Sequence, residues 1–364
     1  MKRILCVHQG YELYGSDRTF IQSVRALRHK WPQAFITVHL PQKGKLSDAL
    51  WPFCNEIITG HLSVIRRKTF SLQSFLKFLD NVFRNYNMIK NSDLIYINSA
   101  VVFSYIFITF FRRKNYILHI HEIPTGVISF YFCLISLLSK ARIITNSSAT
   151  KNALCHSGKA EILYNGVKNI AETPQYIESG ALSLLLIGRL NSWKGQAIAI
   201  EAVSTLIQKG IRNIQLHIVG GYFADNKHYL SSLQEMVIRS HLQDYVHFHQ
   251  FADNPARFYQ DADIVLVPST KPEPFGLVAI EAMNYARPVI AANHGGLTEI
   301  IQHDVTGMLV APGSADKLAE AIERYNQDRP MIKVHGTNGK QRFIDYFQEE
   351  NYETNFIRLV ENAS

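Results

Sequence analysis

The nine residues from Glu273 to Glu281 combine two carboxylates with a loop that leads into a helix. They follow an apolar run, Ile264–Val267, and a proline-containing loop. That order predicts a buried strand, a loop and a helix that begins near Phe275. A loop carboxylate beside the free N–H groups of a helix N-terminus suits a ligand with phosphate and hydroxyl groups. An acidic turn followed by one solvated helix carboxylate is the alternative interpretation.

Two cations lie just before a second predicted helix. The loop from Gly188 to Gly195 follows the apolar run Leu182–Ile187, and a helical pattern begins at Gln196. Arg189 and Lys194 therefore bring two positive charges to the start of the helix, as a diphosphate requires.

A glycine pair at 295–296 precedes another predicted helix, with Glu299 in its first turn. Backbone N–H groups in such a turn can receive an anion.

Polar residues also follow apolar runs in the first half of the chain. A strand over Ile4–His8, a loop containing Gly15 and a helix form the first unit of a nucleotide-binding α/β fold. Gly15 can receive a phosphate or simply form a tight turn before the helix. His121 follows the apolar run 116–120, where open α/β sheets bind ligands. A capped turn residue is the alternative interpretation of His121.

Of two motifs that would indicate a cofactor, one is absent and the other lies at the wrong end of a strand. There is no GxGxxG motif, which argues against a nicotinamide dehydrogenase. Asp261-Ala-Asp263 has the form of a metal-binding DxD, but it precedes the run Ile264–Val267, whereas ligands gather beyond the carboxyl end of a strand. We therefore interpret it as the end of a helix and the start of a strand, and expect no metal site.

Length and charge predict two domains with different partners. The 364 residues suit two domains, 1–170 and 180–340, joined by a linker near 168–180. A C-terminal helix over 343–364 is expected to pack back on the first domain. Residues 1–180 hold 22 Lys and Arg against 10 Asp and Glu, and the remainder holds 16 against 20. The first half is therefore expected to meet an anionic partner.

Basic triplets in the first half lie beside phenylalanine-rich stretches. Arg66-Arg67-Lys68 precedes one stretch, and Arg112-Arg113-Lys114 follows another. This pattern predicts peripheral contact with an anionic membrane, and aromatic residues that face a core beneath a basic rim are the alternative.

Cysteine usage and hydropathy predict a cytoplasmic protein. The four cysteines are scattered without a CxxC pair, so neither a disulfide framework nor a zinc site is expected. The chain enters directly into a strand rather than a signal peptide, and no apolar segment is long enough to span a membrane. We expect a cytoplasmic location with possible peripheral association at the inner face of the membrane.

Four motifs in this order resemble the retaining GT-B glycosyltransferases of family 4. They are Gly188-Arg189…Lys194-Gly195, Glu273-x7-Glu281, Gly295-Gly296…Glu299 and Thr306-Gly307. The resemblance is densest over 182–325 and looser over 1–168. It implies an α/β protein of GT-B architecture, in which two Rossmann-like domains face each other across a cleft. The first would be the acceptor side and the second the nucleotide-sugar side.

The resemblance also implies a role for each matching residue. Arg189 and Lys194 would bind the donor diphosphate and neutralise the leaving nucleotide. Glu281 would hold the ribose, Glu273 would hold sugar hydroxyls and support an oxocarbenium-like transition state, and His121 would touch the transferred sugar. Further donor contacts would come from Gly15, Phe275, Gly276, Leu277 and Gly296. Fixed cations and helix N-termini stabilise the leaving group without a metal, so no cofactor is expected.

These roles predict a hexosyltransferase that uses a nucleotide sugar, with a UDP-sugar favoured and a GDP-sugar next. The acceptor would be a glycan or lipid-linked glycan in bacterial surface polysaccharide synthesis, such as O-antigen or capsule. Two alternatives stay open: a sugar-nucleotide epimerase or hydrolase of the same fold, and a non-catalytic subunit that binds nucleotide sugars. No nucleic-acid partner is expected, because no recognised reader motif accompanies the positive charge.

Overall fold

The chain divides into two compact units, Met1–Gly166 with Glu349–Ser364, and Val167–Gln348. The computed structural model describes residues 1–13, 15–60, 62, 72–111, 115–170, 176, 180–221, 227–252 and 254–362, with only the backbone of 72–77, 127 and 227. Both basic triplets, 66–68 and 112–114, and most of the predicted linker lie outside the described residues.

The first unit is a parallel sheet of seven strands in the order β3-β2-β1-β4-β5-β6-β7. Its strands are β1 Arg3–His8, β2 Phe35–Leu40, β3 Glu56–Thr59, β4 Leu94–Asn98, β5 Asn115–Ile120, β6 Arg142–Thr145 and β7 Ala160–Ile162. Its helices are α1 Gly15–Lys30, α2 Lys45–Leu50, α3 Leu72–Lys90, α4 Phe103–Thr109, α5 Val127–Leu138, α6 Ser148–Asn152 and α14 Glu349–Glu361, with 3-10 turns at Trp51–Phe53 and Ser157–Lys159.

The second unit is a parallel sheet of six strands in the order β10-β9-β8-β11-β12-β13. Its strands are β8 Leu182–Ile187, β9 Ile214–Val219, β10 Val246–His249, β11 Ile264–Val267, β12 Val289–Ala292 and β13 Gly307–Val310. Its helices are α7 Gln196–Gln208, α8 Lys227–Arg239, α9 Ala256–Asp261, α10 Leu277–Asn284, α11 Leu297–Ile300, α12 Ala315–Gln327 and α13 Pro330–Tyr346.

Continuous apolar runs form these strands because helices cover both faces of each sheet. In β1, Ile4 and Cys6 belong to one buried cluster, whereas Leu5 and Val7 belong to another. Alternate side chains therefore enter the two cores on opposite faces of the sheet.

Each sheet reverses its strand order beside its first strand. β1 lies between β2 and β4, and β8 lies between β9 and β11. This is the Rossmann-type arrangement, and ligands bind beyond the carboxyl ends of the strands at the reversal. The predicted fold class, α/β with two Rossmann-like domains, is confirmed.

The strand that sequence reasoning missed is β3, at one edge of the first sheet. It is short, and its residues are half-buried or exposed. An edge strand of this kind lacks the long apolar run that identifies a central parallel strand.

The prediction of a single helix over 343–364 is wrong. α13 ends at Tyr346 in the second unit, and α14 starts at Glu349 in the first. α14 packs on α1, where the Tyr352 hydroxyl lies 2.6 Å from Ser23 Oγ and Arg25 Nε donates to Glu353 over 2.6 Å. Phe356 is fully buried against Tyr352 in the core of the first unit.

The expectation of unpaired cysteines is wrong for one pair. Cys133 of α5 and Cys155 are joined by a disulfide, with Cα atoms 4.9 Å apart. Spacing along the chain did not indicate the pair, because the pairing depends on how α5 packs against the segment after α6 in the tertiary structure.

Within the described residues, no helix is both long and apolar enough to cross a membrane.

Truncating Phe356 to alanine tests whether α14 is part of the core of the first unit. The change leaves a cavity, so we expect a loss of about 3–5 kcal/mol in the free energy of unfolding of the first unit. Urea denaturation in a Trp193→Phe background measures it, because the remaining Trp31 and Trp51 lie in this unit.

Thr354→Ala on the exposed side of α14 is the matched control. A change within about 0.5 kcal/mol for both variants would show that α14 adds no core to the first unit.

Candidate functional site

The loops after β8 and β11 lie side by side because these strands are neighbours, with Leu185 paired to Val265. Thr270 N donates to the Trp193 carbonyl over 2.8 Å. Gly195 has φ +80°, and a Cβ there would lie 2.1 Å from the Pro268 carbonyl oxygen. Only glycine allows this close approach, so the two loops form one surface.

Lys194 and Glu273, predicted from separate motifs, are bonded to each other. Lys194 Nζ lies 2.7 Å from Glu273 Oε1, and Ser269 Oγ donates to the same oxygen over 2.5 Å. Glu273 is only 6% exposed. Burial of a carboxylate is unfavourable without such partners, so Lys194 and Ser269 keep Glu273 in place.

The segment after Glu273 forms the start of α10, as predicted. Gly276 has φ +131° and Leu277 is the first residue of the helix. Phe275 is buried and its ring meets that of Phe347 at 6.0 Å, edge to face.

The Leu277 and Val278 amides precede the first helical hydrogen bonds of α10, which Ala279 and Ile280 donate to the Gly276 carbonyl. This end of the helix is therefore suitable for an anion.

The glycine pair packs against the Glu273 backbone. Gly295 has φ +63°, and a Cβ there would lie 2.4 Å from the Glu273 carbonyl oxygen. The Gly296 amide donates to that carbonyl over 2.8 Å. Any contact of Gly296 with a ligand would therefore come from close approach rather than from its N–H.

His294 was not predicted from the sequence. Among the described residues, neither of its buried ring nitrogens has a hydrogen-bond partner. It directly precedes Gly295, so it lies beside the loop that holds Glu273. Buried polar atoms are normally satisfied, and a bound polar ligand or water would satisfy these.

Glu281 and Arg189 have other partners in the second unit. Glu281 Oε2 accepts a 2.6 Å bond from the hydroxyl of Tyr259, which is buried. Arg189 opens the loop after β8, and its carbonyl accepts a bond from Gln196 Nε2 over 3.1 Å. The two predicted roles of Glu273 and Glu281 thus fall on carboxylates with different partners.

Asp261 and Asp263 lie where the sequence placed them, at the end of α9 and just before β11. Asp263 Oδ2 accepts from the Ser183 amide over 2.8 Å and lies 4.0 Å from Arg329 Nη1. Its partners are therefore structural. Within the described residues, no cluster of three or more His, Cys, Asp or Glu side chains is arranged to hold a metal.

In the first unit, the carboxyl ends of three adjacent strands bring polar side chains together. Asn98 of β4 pairs with His8 of β1 on one side and His119 of β5 on the other. His121 lies just beyond β5, with Nε2 2.7 Å from Asn98 Oδ1 and its ring 4.0 Å from that of His119. Burial, helped by nearby His8, lowers the pKa of His121 to about 3. His121 is therefore neutral at physiological pH.

Glu122 supports the same corner of the sheet. It accepts hydrogen bonds from the Ser99 hydroxyl and, over 3.1 Å, from the His121 amide. Burial raises the pKa of the Glu122 carboxyl. Ser99 has φ +114°, a conformation that costs a non-glycine residue energy and is often found at functional sites.

Gly15, the other predicted site residue of the first unit, begins α1, and its carbonyl accepts a hydrogen bond from Thr19 Oγ1 over 3.2 Å.

Sequence reasoning missed the residues that hold the predicted ones. Ser269 follows the apolar run of β11, the same signal that identified His121, and could have been found. Tyr259 had no comparable signal. His8 was counted within the apolar strand Ile4–His8, and Asn98 directly follows the apolar run 94–97; only strand pairing shows that the two residues meet.

Replacing Gly295 by alanine tests the close approach to Glu273. We expect a cost of about 1 kcal/mol for the left-handed backbone, and about 1–3 kcal/mol more for the collision with the Glu273 carbonyl. Denaturation in a Trp31→Phe, Trp51→Phe background reports on the second unit through Trp193.

Gly313→Ala is the control, because Gly313 has φ +73° but no atom within 4 Å of the added Cβ. Equal costs for the two variants would contradict the close packing of Gly295 against the Glu273 loop.

Comparison with known proteins agrees with this geometry. Residues 171–342, which contain the loops described above, match the family model "Glycosyl transferases group 1". An uncharacterized glycosyltransferase of Methanocaldococcus jannaschii is 28% identical over 247 residues, covering 63% of this chain and 62% of that protein. The lipopolysaccharide 1,2-N-acetylglucosaminetransferase of Salmonella typhimurium is 30% identical over 192 residues, covering 51% of this chain and 50% of that protein.

A solved structure extends the likeness to both units. The Anabaena protein HepE, in complex with UDP and glucose, superposes with a TM-score of 0.83 at 22% identity, covering 99% of this chain and 100% of HepE. This likeness shows the fold. The chain spans about half to three fifths of the two curated relatives above. Residues 171–342 therefore resemble group 1 glycosyl transferases, and the whole chain shares the fold of HepE.

Proposed function

We propose that the protein is a retaining glycosyltransferase of family 4 that transfers a hexose-type sugar from a nucleotide sugar. The observation that carries this proposal is the Lys194 ammonium against the buried Glu273 carboxylate, beside the start of α10. This cluster lies within the segment that matches the glycosyltransferase model. A UDP-sugar is favoured, in keeping with UDP in the HepE structure, and a GDP-sugar comes next.

The donor diphosphate is assigned to Lys194, Arg189 and the first amides of α10. An ammonium group has three N–H donors, and the bond to Glu273 uses one of them. The others can donate to phosphate oxygens. Fixed positive groups of this kind stabilise the negative charge that develops on the leaving nucleotide, which is the main demand of glycosyl transfer.

The sugar and ribose are assigned to separate carboxylates. Both side-chain bonds to Glu273 go to Oε1, so Oε2 is the acceptor for sugar hydroxyls and the anion that supports an oxocarbenium-like transition state. Glu281, fixed by Tyr259, would hold the ribose hydroxyls. In the first unit, His121 would contact the transferred sugar and Gly15 would approach the phosphates.

Retention of configuration is proposed to proceed by attack on the same face as departure. No covalent nucleophile is assigned, and an oxygen of the leaving phosphate is proposed to take the proton of the incoming hydroxyl.

The molecule that receives the sugar is proposed to be a glycan or lipid-linked glycan of a bacterial surface polysaccharide, as the likeness to a lipopolysaccharide enzyme supports. No metal or other cofactor takes part in the proposed mechanism.

Alanine at Arg189 or Lys194 tests the diphosphate assignment. Thermal shift with UDP-, GDP- and dTDP-sugars first selects the donor. Steady-state transfer then should show kcat/KM lower by about 100-fold or more in each variant, since one fixed electrostatic donor is worth about that factor. Turnover near wild type in both variants would refute the assignment.

Lys209→Ala is the matched control, because Lys209 makes an exposed ion pair with Glu323 in the same unit.

Incubating the donor without acceptor separates the transferase from the two alternatives, an epimerase or hydrolase and a non-catalytic binding subunit. An epimerase or hydrolase converts the donor alone, and a binding subunit shows a thermal shift without turnover.

We also propose a cytoplasmic location with peripheral contact to an anionic membrane through the first unit. Phe103 of α4 stacks on Phe78 of α3 at 4.9 Å and meets Tyr131 of α5 at 5.5 Å, so these three helices pack together. Large exposed aromatic side chains on these helices are Phe83 and Phe130, both at 73% exposure, and Phe111, just beyond the end of α4, is 70% exposed. The positive charge of residues 1–180 complements anionic lipid.

Flotation with vesicles containing anionic lipid tests this contact. Phe83→Glu with Phe130→Glu should reduce vesicle binding at low salt by about tenfold or more, because each buried phenylalanine contributes about 1.5–3 kcal/mol. Phe251→Glu, at an exposed phenylalanine of the second unit, should bind as wild type does. No binding of the wild-type protein at low salt would remove the membrane proposal.

A further inference from the structure

We propose that Asp17, His8 and Asn98 are positioning residues that hold His121 in one tautomer, with the proton on Nε2 and the lone pair on Nδ1. This inference deepens the proposed function, because it concerns the histidine assigned to the transferred sugar. Four side chains form a buried series of hydrogen bonds from α1 through the ends of β1 and β4 to His121. The direction of each bond follows from the chemistry of the group at its end.

The series begins at Asp17, in the first turn of α1. Asp17 Oδ1 lies 2.7 Å from His8 Nε2, and both side chains are buried. A carboxylate only accepts hydrogen bonds, so the His8 proton is on Nε2. Gly10 makes room for this pair, since a Cβ there would lie 2.0 Å from Asp17 Oδ1 and 2.8 Å from His8 Nε2.

The second link joins His8 to Asn98. In neutral His8, a proton on Nε2 leaves Nδ1 as an acceptor, and Asn98 Nδ2 lies 2.9 Å from it. The amide N–H₂ therefore faces His8, and the amide oxygen faces the other way. The choice between the two orientations of an asparagine amide is made by its neighbours. Here Asp17 makes it through His8, together with the Ser16 carbonyl, which accepts a longer bond of 3.4 Å from Asn98 Nδ2.

The last link fixes His121. Asn98 Oδ1 accepts from the Tyr96 hydroxyl over 2.8 Å and lies 2.7 Å from His121 Nε2. An amide oxygen cannot donate, so His121 carries its proton on Nε2. The burial that lowers the pKa of His121 to about 3 keeps the ring neutral.

His121 is thus preset as a hydrogen-bond acceptor at Nδ1. Such a group recognises a sugar hydroxyl that donates a hydrogen bond, and discriminates against a deoxy or fluoro group at the same carbon. A histidine free to change tautomer would tolerate both donors and acceptors. Asp17, which touches no substrate in this proposal, therefore contributes to sugar specificity from a distance.

The tautomer can be read directly by NMR. The full chain is labelled with [15N]histidine, and long-range 1H–15N spectra at neutral pH are assigned to His121 by comparison with His121→Gln. We expect the wild-type ring protonated at Nε2 alone. In Asp17→Leu, His8 loses its acceptor and can move its proton to Nδ1, which lies 3.0 Å from the Asn98 carbonyl. The Asn98 amide then turns over, and the His121 proton moves to Nδ1.

Activity gives the second measurement. Transfer should fall about tenfold in Asp17→Leu, the factor expected for one lost hydrogen bond. Asp17→Asn retains an acceptor for His8 and should keep both the tautomer and most of the rate. Gly10→Ala displaces the Asp17 carboxylate and should reproduce Asp17→Leu, which covers the case in which that variant does not fold. Asp93→Leu is the control, because Asp93 accepts from the Arg3 amide at the other end of β1.

Two results would overturn the proposal: a wild-type His121 protonated at Nδ1, or an unchanged His121 tautomer in folded Asp17→Leu and Gly10→Ala. The spectra do not depend on activity. If no donor is turned over but the tautomers change as expected, the proposed function fails and the hydrogen-bond series stands.

Discussion

The ion pair between Lys194 and Glu273 is the contact on which the candidate donor site depends. It joins the loop after β8 to the loop after β11, and it forms because these strands are neighbours in the sheet. The buried carboxylate needs Lys194 and Ser269 as partners, and the glycines at 195 and 295 allow the backbones to come close enough. Charge and glycine positions are therefore parts of one arrangement rather than separate motifs.

The first unit uses the same principle, mainly with histidine and asparagine side chains. His8 and Asn98 end β1 and β4, His119 lies one residue before the end of β5, and helix α1 adds Asp17 to this edge. Burial leaves each polar atom dependent on its neighbour, so the orientation of one side chain determines that of the next. Ser99, whose backbone is strained, and the buried Glu122 lie at the same edge. The hydrogen bonds around Ser99, including the one to Glu122, hold its backbone in that unfavourable conformation.

Sequence reasoning succeeded where a signal is local. Central strands such as Leu182–Ile187 and Ile264–Val267 were predicted with the bounds that the structure has, because a buried parallel strand is a continuous apolar run. The same reasoning failed at the edge strand β3, at the break between α13 and α14, and at the Cys133–Cys155 pair. Each of these depends on packing against distant segments, and no short window contains that information.

The sequence by itself determined the α/β class, the two Rossmann-like domains and the residues Arg189, Lys194, Glu273 and His121 as polar groups beyond strand ends. Those properties follow from periodicity and from the rule that strands present their carboxyl ends to ligands. Only the tertiary structure decided which groups are partners: Lys194 with Glu273, Tyr259 with Glu281, and Asp17 with His8. Hydrogen bonds act over about 3 Å, so strand order and register, which are not written in any local pattern, select the pairs.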